Sequence, residues 1–256
     1  MTPPLDVVIV NFNTRDDVLA CLASLLAAPP ASLGRVFVVD NASSDGSAEA
    51  IRAAHPEVTM IALDRNAGFG AANNVALRQS TATLVLLLNS DTIVGAGAID
   101  ALAGRLLATG AVAAGPRLVD SSGRPEMSFG SMLSPVTELA QAVRVRSGVG
   151  VSRRVSRERE VDWVSGACLL LRREAAAAVG FFDERYFLYE EDVDLCAALR
   201  AAGGRILFTP VSQIVHRRGR SHADPGHYDR SHLAFYEKHA PAWAPWLRLW
   251  QRVRRR

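Results

Sequence analysis

Four short apolar runs, Val7–Val10, Val36–Val39, Val58–Ile61 and Leu84–Leu88, carry no alternation of polar and apolar residues. That property restricts the folds open to this chain more than any other. A strand with one wet face alternates, whereas a strand covered on both faces reads as an unbroken apolar run, as in a parallel sheet buried between helices. The pieces between the runs, Asp16–Ala28, Ser47–Ala54 and Ala71–Ser80, have helical composition bounded by turn residues. Repeated strand–helix–strand units imply a Rossmann-like α/β fold, with a mainly parallel central sheet flanked by helices and right-handed crossovers.

In such sheets ligands bind beyond the carboxyl ends of the strands. Three of the runs end in polar clusters, at Asn11-Phe12-Asn13-Thr14, at Asp40-Asn41-Ala42-Ser43-Ser44-Asp45-Gly46 and at Asn89-Ser90-Asp91-Thr92. A pocket is therefore expected along that edge. Further on, Val161–Arg172 reads as a strand, Glu174–Val179 and Glu191–Ala202 as helices, and Arg205–Phe208 and Gln213–Val215 as strands. Pro116–Gly130 is rich in turn-forming residues. With 256 residues, 49% of them apolar, and no repeat or linker, one domain over residues 1–240 is expected. It would comprise a first half, residues 1–115, and a second half, residues 116–240, followed by a basic aromatic tail, 241–256.

Charge is distributed unevenly. Arg144–Glu160 holds six Arg and two Glu, and Trp243–Arg256 holds five Arg and no acid, so the rest of the chain carries −6 within a net +3. A uniformly basic nucleic-acid-binding surface is thereby excluded. The three cysteines are far apart and form no CxxC pair, which fits a reducing compartment and gives neither a disulfide framework nor a cysteine zinc site. No apolar run approaches the ~20 residues that span a bilayer, so a cytoplasmic protein is expected.

Individual residues admit a chemical and a structural account. Asp40 can accept hydrogen bonds from a nucleoside, or simply cap a helix. The loop Asn66-Ala67-Gly68-Phe69-Gly70 opens a helix with exposed N–H groups that can face phosphate, or is a plain tight turn. Asp91, closing the most apolar run, can ligate a hard divalent cation, and His216, followed by Arg217 and Arg218, can be its partner or a structural histidine. Glu190-Glu191-Asp192-Val193-Asp194 places four acids at a helix start, where the helix dipole alone would favour them. The flanking Phe187 and Tyr189 point instead to a partly dry pocket in which one acid has a raised pKa and acts as a general base.

With these residues in view the chain resembles family 2 inverting glycosyltransferases of GT-A fold, in particular bacterial rhamnosyltransferases. The resemblance lies in VVIVNFNT from Val7, VVDNASSDGS from Val38, NAGFGAANN from Asn66, LLLNSDT from Leu86, VSGACLLLRRE from Val164 and GFFDERYFLYEEDVDLC from Gly180. It implies a nucleotide-sugar site at Val10, Asn11, Asp40, Asn41, Arg65, Asn66, Gly68 and Asn73, continued by Asn89, Ser90 and Asp91. It further implies Mg²⁺ or Mn²⁺ on Asp91 and His216, Asp192 as the base with Glu191 beside it, and acceptor contacts at Trp163, Gly166 and Tyr189. The metal motif reads Asn-Ser-Asp and lacks a first aspartate.

The activity so implied is transfer of a hexose, L-rhamnose from dTDP-rhamnose, onto a cell-envelope glycan or polyprenyl-diphosphate-linked acceptor. A non-catalytic nucleotide-sugar or glycan-binding module on the same fold is the alternative, and a nucleotidyltransferase a weaker one. The tail, with Trp243, Trp246 and Trp250 among arginines, suits an anionic membrane surface and a peripheral location, or packs on the body. Arg144–Glu160 is either a lid or a solvated loop, and a homodimer is left open.

Overall fold

The computed structural model describes residues 2–138, 155–217 and 225–254. In the first half strands and helices alternate as expected: β1 (Leu5–Asn11), α1 (Arg15–Ala27), β2 (Leu33–Asp40), α2 (Ser47–Ala54), β3 (Thr59–Ala62), α3 (Phe69–Gln79) and β4 (Leu84–Asn89). They are followed by β5 (Thr92–Val94), α4 (Ala98–Thr109), β6 (Ala113–Val119) and β7 (Phe129–Gly130). The second half contributes β8 (Arg159–Val161), β9 (Trp163–Val164), β10 (Cys168–Arg172), α5 (Arg173–Ala178), α6 (Glu191–Ala201), β11 (Ile206–His216), α7 (Pro225–His239) and α8 (Ala244–Arg254).

Nine strands form one sheet in the order β3-β2-β1-β4-β10-β6-β11-β5, with β8 also on β11; β7 and β9 pair separately. Strands β3, β2, β1 and β4 are mutually parallel, as the unbroken apolar runs require. Strand β10 then runs antiparallel to both β4 and β6, so the sheet is parallel on one side and mixed on the other. Because β10, β11 and β8 interleave with β5 and β6, both halves of the chain build a single sheet.

Alternate residues of the same strand enter opposite cores. Val7 and Ile9 pack with Leu86, with Leu22 and Leu25 of α1 and with Leu102 and Leu106 of α4. Val8 turns the other way, to Phe37, Leu87, Ala76 and Leu77 of α3 and Leu195 of α6. Each fully buried Leu, Ile or Phe contributes roughly 1.5–3 kcal/mol. Burial on both faces is thus the physical reason for the missing alternation.

Two expectations are corrected. Val161–Arg172 is not one strand: it breaks between β9 and β10 at Ser165–Ala167, where the chain turns its N–H groups to other partners. Arg205–Phe208 and Gln213–Val215 are not two strands but one, β11, whose register against β6 shifts between Thr209 and Gln213. Pro210, which has no N–H to give the ladder, sits in that shift.

Register puts the site at one edge. Asn11 lies opposite Asp40, and Val10 opposite both Val39 and Asn89, so β1, β2 and β4 end level. Since β10 is reversed, its start reaches the same edge, with Cys168 opposite Leu88. The end of β11 also arrives there, with His216 opposite Thr92. The three cysteines are buried and free, and burial pushes the Cys21 thiol up to about 12.

Candidate active site

The ends of β1 and β2 are joined by side chains. Buried Asn11 donates its amide to Asp40 Oδ1 at 2.9 Å and to Ser43 Oγ at 3.1 Å, while Asp40 Oδ2 accepts the Ser43 N–H at 3.0 Å. Thr14 Oγ1 donates to Asn11 Oδ1 at 2.7 Å and meets Ser90 Oγ at 2.8 Å, which carries the network across to the β4 loop. Burial makes these pairings obligatory, because an unsatisfied amide or carboxylate there would cost more than the bond contributes.

Asn41 fixes the glycine loop. Its amide nitrogen donates to Asn66 Oδ1 at 2.9 Å and its oxygen accepts the Ala67 N–H at 2.8 Å, while Asn66 Oδ1 also takes the Gly68 N–H at 3.0 Å. Gly68 has φ +88°, and a Cβ there would overlap the Phe187 carbonyl. That same carbonyl accepts the Phe69 N–H at 2.8 Å, so the loop and the aromatic segment before α6 are locked together. Asn73 is buried and spends its amide inside α3 on the Phe69 carbonyl at 3.0 Å. Asn74, which motif reasoning passed over, bonds Phe182 through both its amide nitrogen (2.9 Å) and oxygen (3.0 Å). Arg65 is exposed beside this loop.

At the next position along the edge, Asp91 Oδ1 lies 3.3 Å from His216 Nε2. The other ring nitrogen, Nδ1, lies 3.1 Å from Glu126 Oε2. Burial lowers the pKa of His216, but the hydrogen bond and charge of Asp91, followed by those of Glu126, raise it above the usual histidine value. The backbone of Arg217 donates to the Asp91 carbonyl at 2.8 Å, and its side chain approaches Asp17 at 3.8 Å; Arg218 lies outside the described residues. Among the described residues no three His, Cys, Asp or Glu side chains form a ready-made metal cage.

Beyond His216 opens a cleft of about 790 Å³, lined by Asn89, His216, Trp163, Gly166 and Tyr189 and by the acids Glu190, Glu191 and Asp192. Asp192 is half-buried in its wall, its Oδ2 accepting the Gly166 N–H at 2.7 Å and its Oδ1 the Val193 N–H at 2.8 Å. Burial raises its pKa, the Gly166 bond opposes that, and the charge of Glu190 adds to it, for a value of about 6. Glu191 is 5% exposed, and its Oε2 has no hydrogen-bond partner. Burial, and then the charge of Asp192, hold Glu191 well above the ordinary carboxylate range.

The remaining acids of the motif serve the scaffold. Glu190 precedes α6 at φ +66° and meets His232 Nδ1 of α7 at 3.2 Å. Buried Asp194 accepts hydrogen bonds from Tyr186 (3.2 Å), Lys238 (2.8 Å) and His239 (2.6 Å), fastening α6 to α7. Tyr189 is turned to the cleft at φ +71° and meets Tyr228 edge-on at 5.9 Å, and Trp163 donates to the Ser131 carbonyl at 3.0 Å. Phe187 stacks on His227 instead. Sequence reasoning missed Glu126, Glu138 and His232. Glu126 carries no local signal, whereas Tyr228, His232 and Tyr236 form an i, i+4 stripe that a helical reading could have found.

The fold that carries this strand edge and cleft is that of the GT-A glycosyltransferases, as comparison with solved structures shows. A mannosyltransferase from Pyrobaculum calidifontis, crystallised with GDP-Man and Mn²⁺, superposes with a TM-score of 0.65 at 18% identity, covering 97% of this chain and 69% of that one. GalNAc-T7, crystallised with UDP, GalNAc and Mn²⁺, gives 0.65 at 16% identity, covering 91% of this chain and 50% of that one. The family model "Glycosyltransferase like family 2" matches residues 3–244, and the chain belongs to that family. It is 34% identical over 260 residues to the N-acetylglucosaminyl-diphospho-decaprenol L-rhamnosyltransferase of Mycobacterium tuberculosis, across 93% of this chain and 83% of the relative. An O-antigen biosynthesis protein of Myxococcus xanthus is 28% identical across 96% of this chain, which spans 19% of that protein.

Proposed function

We propose that the protein transfers L-rhamnose from dTDP-rhamnose, with inversion at the anomeric carbon, to a polyprenyl-diphosphate-linked sugar of the cell envelope. The observation that carries this reading is Asp192: a carboxylate held by the Gly166 N–H at 2.7 Å in a cleft that also reaches His216. A binding module would need no such base. The sugar and the lipid-linked acceptor are inferred from the 34% identical mycobacterial relative.

An acceptor hydroxyl has a pKa far above 7, so its proton must leave as attack proceeds. With a pKa of about 6, Asp192 is ionised at neutral pH and still basic enough to take that proton. The acceptor oxygen bonds to the anomeric carbon, the bond from that carbon to the phosphate oxygen breaks, and dTDP departs. With Asp192 as the base and one bond exchanged for another, single displacement gives inversion, as in inverting glycosidases. Glu191, whose buried Oε2 has no hydrogen-bond partner in the protein, can offer that oxygen to an acceptor hydroxyl. The network of Asn11, Asp40 and Asn41 shapes the strand ends and the glycine loop against which the nucleotide would lie, and the Ala67, Gly68 and Phe69 N–H groups, expected to face phosphate, are instead spent inside the protein.

The cation of this reading is Mg²⁺ or Mn²⁺. Asp91 and His216, with an oxygen and a nitrogen 3.3 Å apart, would hold it, and Glu126 on the far ring nitrogen would orient the ring, as carboxylate partners of ligating histidines do. When bound, the ion offsets charge growing on the leaving diphosphate. Product analysis tests the whole reading. Wild-type protein with dTDP-rhamnose, metal and a lipid-linked GlcNAc acceptor should yield one glycoside of inverted configuration by NMR. Turnover of another nucleotide sugar in preference, or retention, would refute it.

A further inference from the structure

Helix α8 turns its apolar side away from the protein. Trp243, just before it, with Trp246, Leu249, Trp250 and Val253, are 51–67% exposed. At 100° per residue these five fall within about 120° of the helix circumference, one continuous stripe. The other side is the one that touches the body: Ala244 and Leu247 pack with Tyr186, Val193, Phe235 and Tyr236, and Gln251 donates to the Asp229 carbonyl of α7 at 2.8 Å. The tryptophans thus keep half or more of their surface outside the protein.

Charge says what covers the stripe. From Ala240 to Arg256 the sequence has five Arg and no acid. Arg248 pairs with Glu237, while Arg252 is exposed. A second copy docked stripe to stripe would set two such arginine groups side by side, a like-charge penalty that an isologous interface cannot avoid. An anionic bilayer satisfies both features: tryptophan prefers the headgroup–acyl boundary, and arginine the headgroups around it. Among the described residues no helix is long and apolar enough to cross a membrane, so the contact would be in the plane of the surface.

We propose that the exposed face of α8 is a docking surface for anionic phospholipid and that the enzyme sits on the membrane by it. The position of that surface adds a consequence. Helix α8 packs on α7, and α7 carries Tyr228 at the cleft wall and His232 against Glu190. Docking α8 therefore orients the cleft relative to the bilayer. This consequence rests on the lipid-linked acceptor proposed above; the docking surface does not.

The test is sedimentation of the full chain with phosphatidylcholine vesicles, with and without phosphatidylglycerol, beside the double variant Trp246→Glu/Trp250→Glu. Both side chains are exposed, so the fold should be kept, and a matching thermal melt verifies it. Wild type should sediment with the anionic vesicles, less so at high salt and little with phosphatidylcholine alone, with a blue shift of tryptophan fluorescence. The double variant should bind at least ~10-fold more weakly, since it loses two buried aromatics. It should retain turnover of a water-soluble acceptor, and should lose activity only on acceptor embedded in vesicles. Equal sedimentation of wild type and variant, or none by either, would overturn the proposal. So would a wild-type dimer in analytical ultracentrifugation that the variant abolishes, since a second copy would then cover the face. Failure of transfer to both acceptors by wild type would strike the assigned reaction and leave the lipid result standing.

Discussion

His232 offers a stability prediction whose size can be worked out. The residue is 4% exposed, with Nδ1 3.2 Å from Glu190 Oε1 and Nε2 3.4 Å from Glu138 Oε2, and Tyr236 donates to the same Glu138 at 2.6 Å. Burial lowers its pKa, but hydrogen bonds and charge from the two carboxylates outweigh burial and lift it from 6.5 to about 9. A pKa unit corresponds to ~1.4 kcal/mol, so a rise from 6.5 to about 9 corresponds to roughly 3.5 kcal/mol at most. The Glu138 side chain is 36% exposed, and solvent screening reduces the figure to roughly 1–3 kcal/mol. The folded state binds the proton more tightly, so the contribution is complete below pH 6.5 and disappears as pH rises through about 9. Urea unfolding of wild type and His232→Gln should show wild type ahead by that margin at pH 6, with the gap closing by pH 10. A gap independent of pH would mean that the ring is neutral in the folded protein, and the reasoning would be wrong.

Two further substitutions probe the site. Glu126→Gln should weaken cation affinity ~10–100-fold, read by metal titration of donor turnover, because the carboxylate that orients His216 is lost; an unchanged titration would remove Glu126 from the site. Gly68→Ala places a side chain at φ +88° against the Phe187 carbonyl and should cost ~2 kcal/mol or more in chemical denaturation, with weaker donor binding. A variant as stable as wild type would show that the loop adapts.

What could be read from the sequence follows from where the determinants lie. The runs ending at Val10, Val39 and Leu88 identify parallel buried strands because two-sided burial erases alternation, and with them the level of the polar residues that follow. Strand β10 was readable as a strand but not as a reversed one, since Cys168–Arg172 is apolar in either direction and the connection decides. The break at Ser165–Ala167 exists for a bond to Asp192, 26 residues away, which no local pattern announces. The acids from Glu190 to Asp194 stood out as a group, but only the fold separates Glu190, Glu191 and Asp192, which line the cleft, from Asp194, and ties Glu190 and Asp194 to α7. In α8 the apolar stripe is legible, whereas which side meets the body is a tertiary fact fixed by Ala244, Leu247 and Gln251. Of the Arg144–Glu160 segment, residues 144–154 lie outside the described residues.

The central claim is that Asp192 removes the acceptor proton, and single-turnover transfer by Asp192→Asn, run beside donor-binding calorimetry, tests it most directly. The amide can still accept the Gly166 N–H but is no base, so donor affinity should stay within ~3-fold while transfer falls ~10²–10⁴-fold. In wild type the rate should decline tenfold per pH unit below about 6, as Asp192 takes up its proton, and the variant should lose that limb. An Asp192→Asn enzyme that transfers at near wild-type rate with the limb intact would contradict the account.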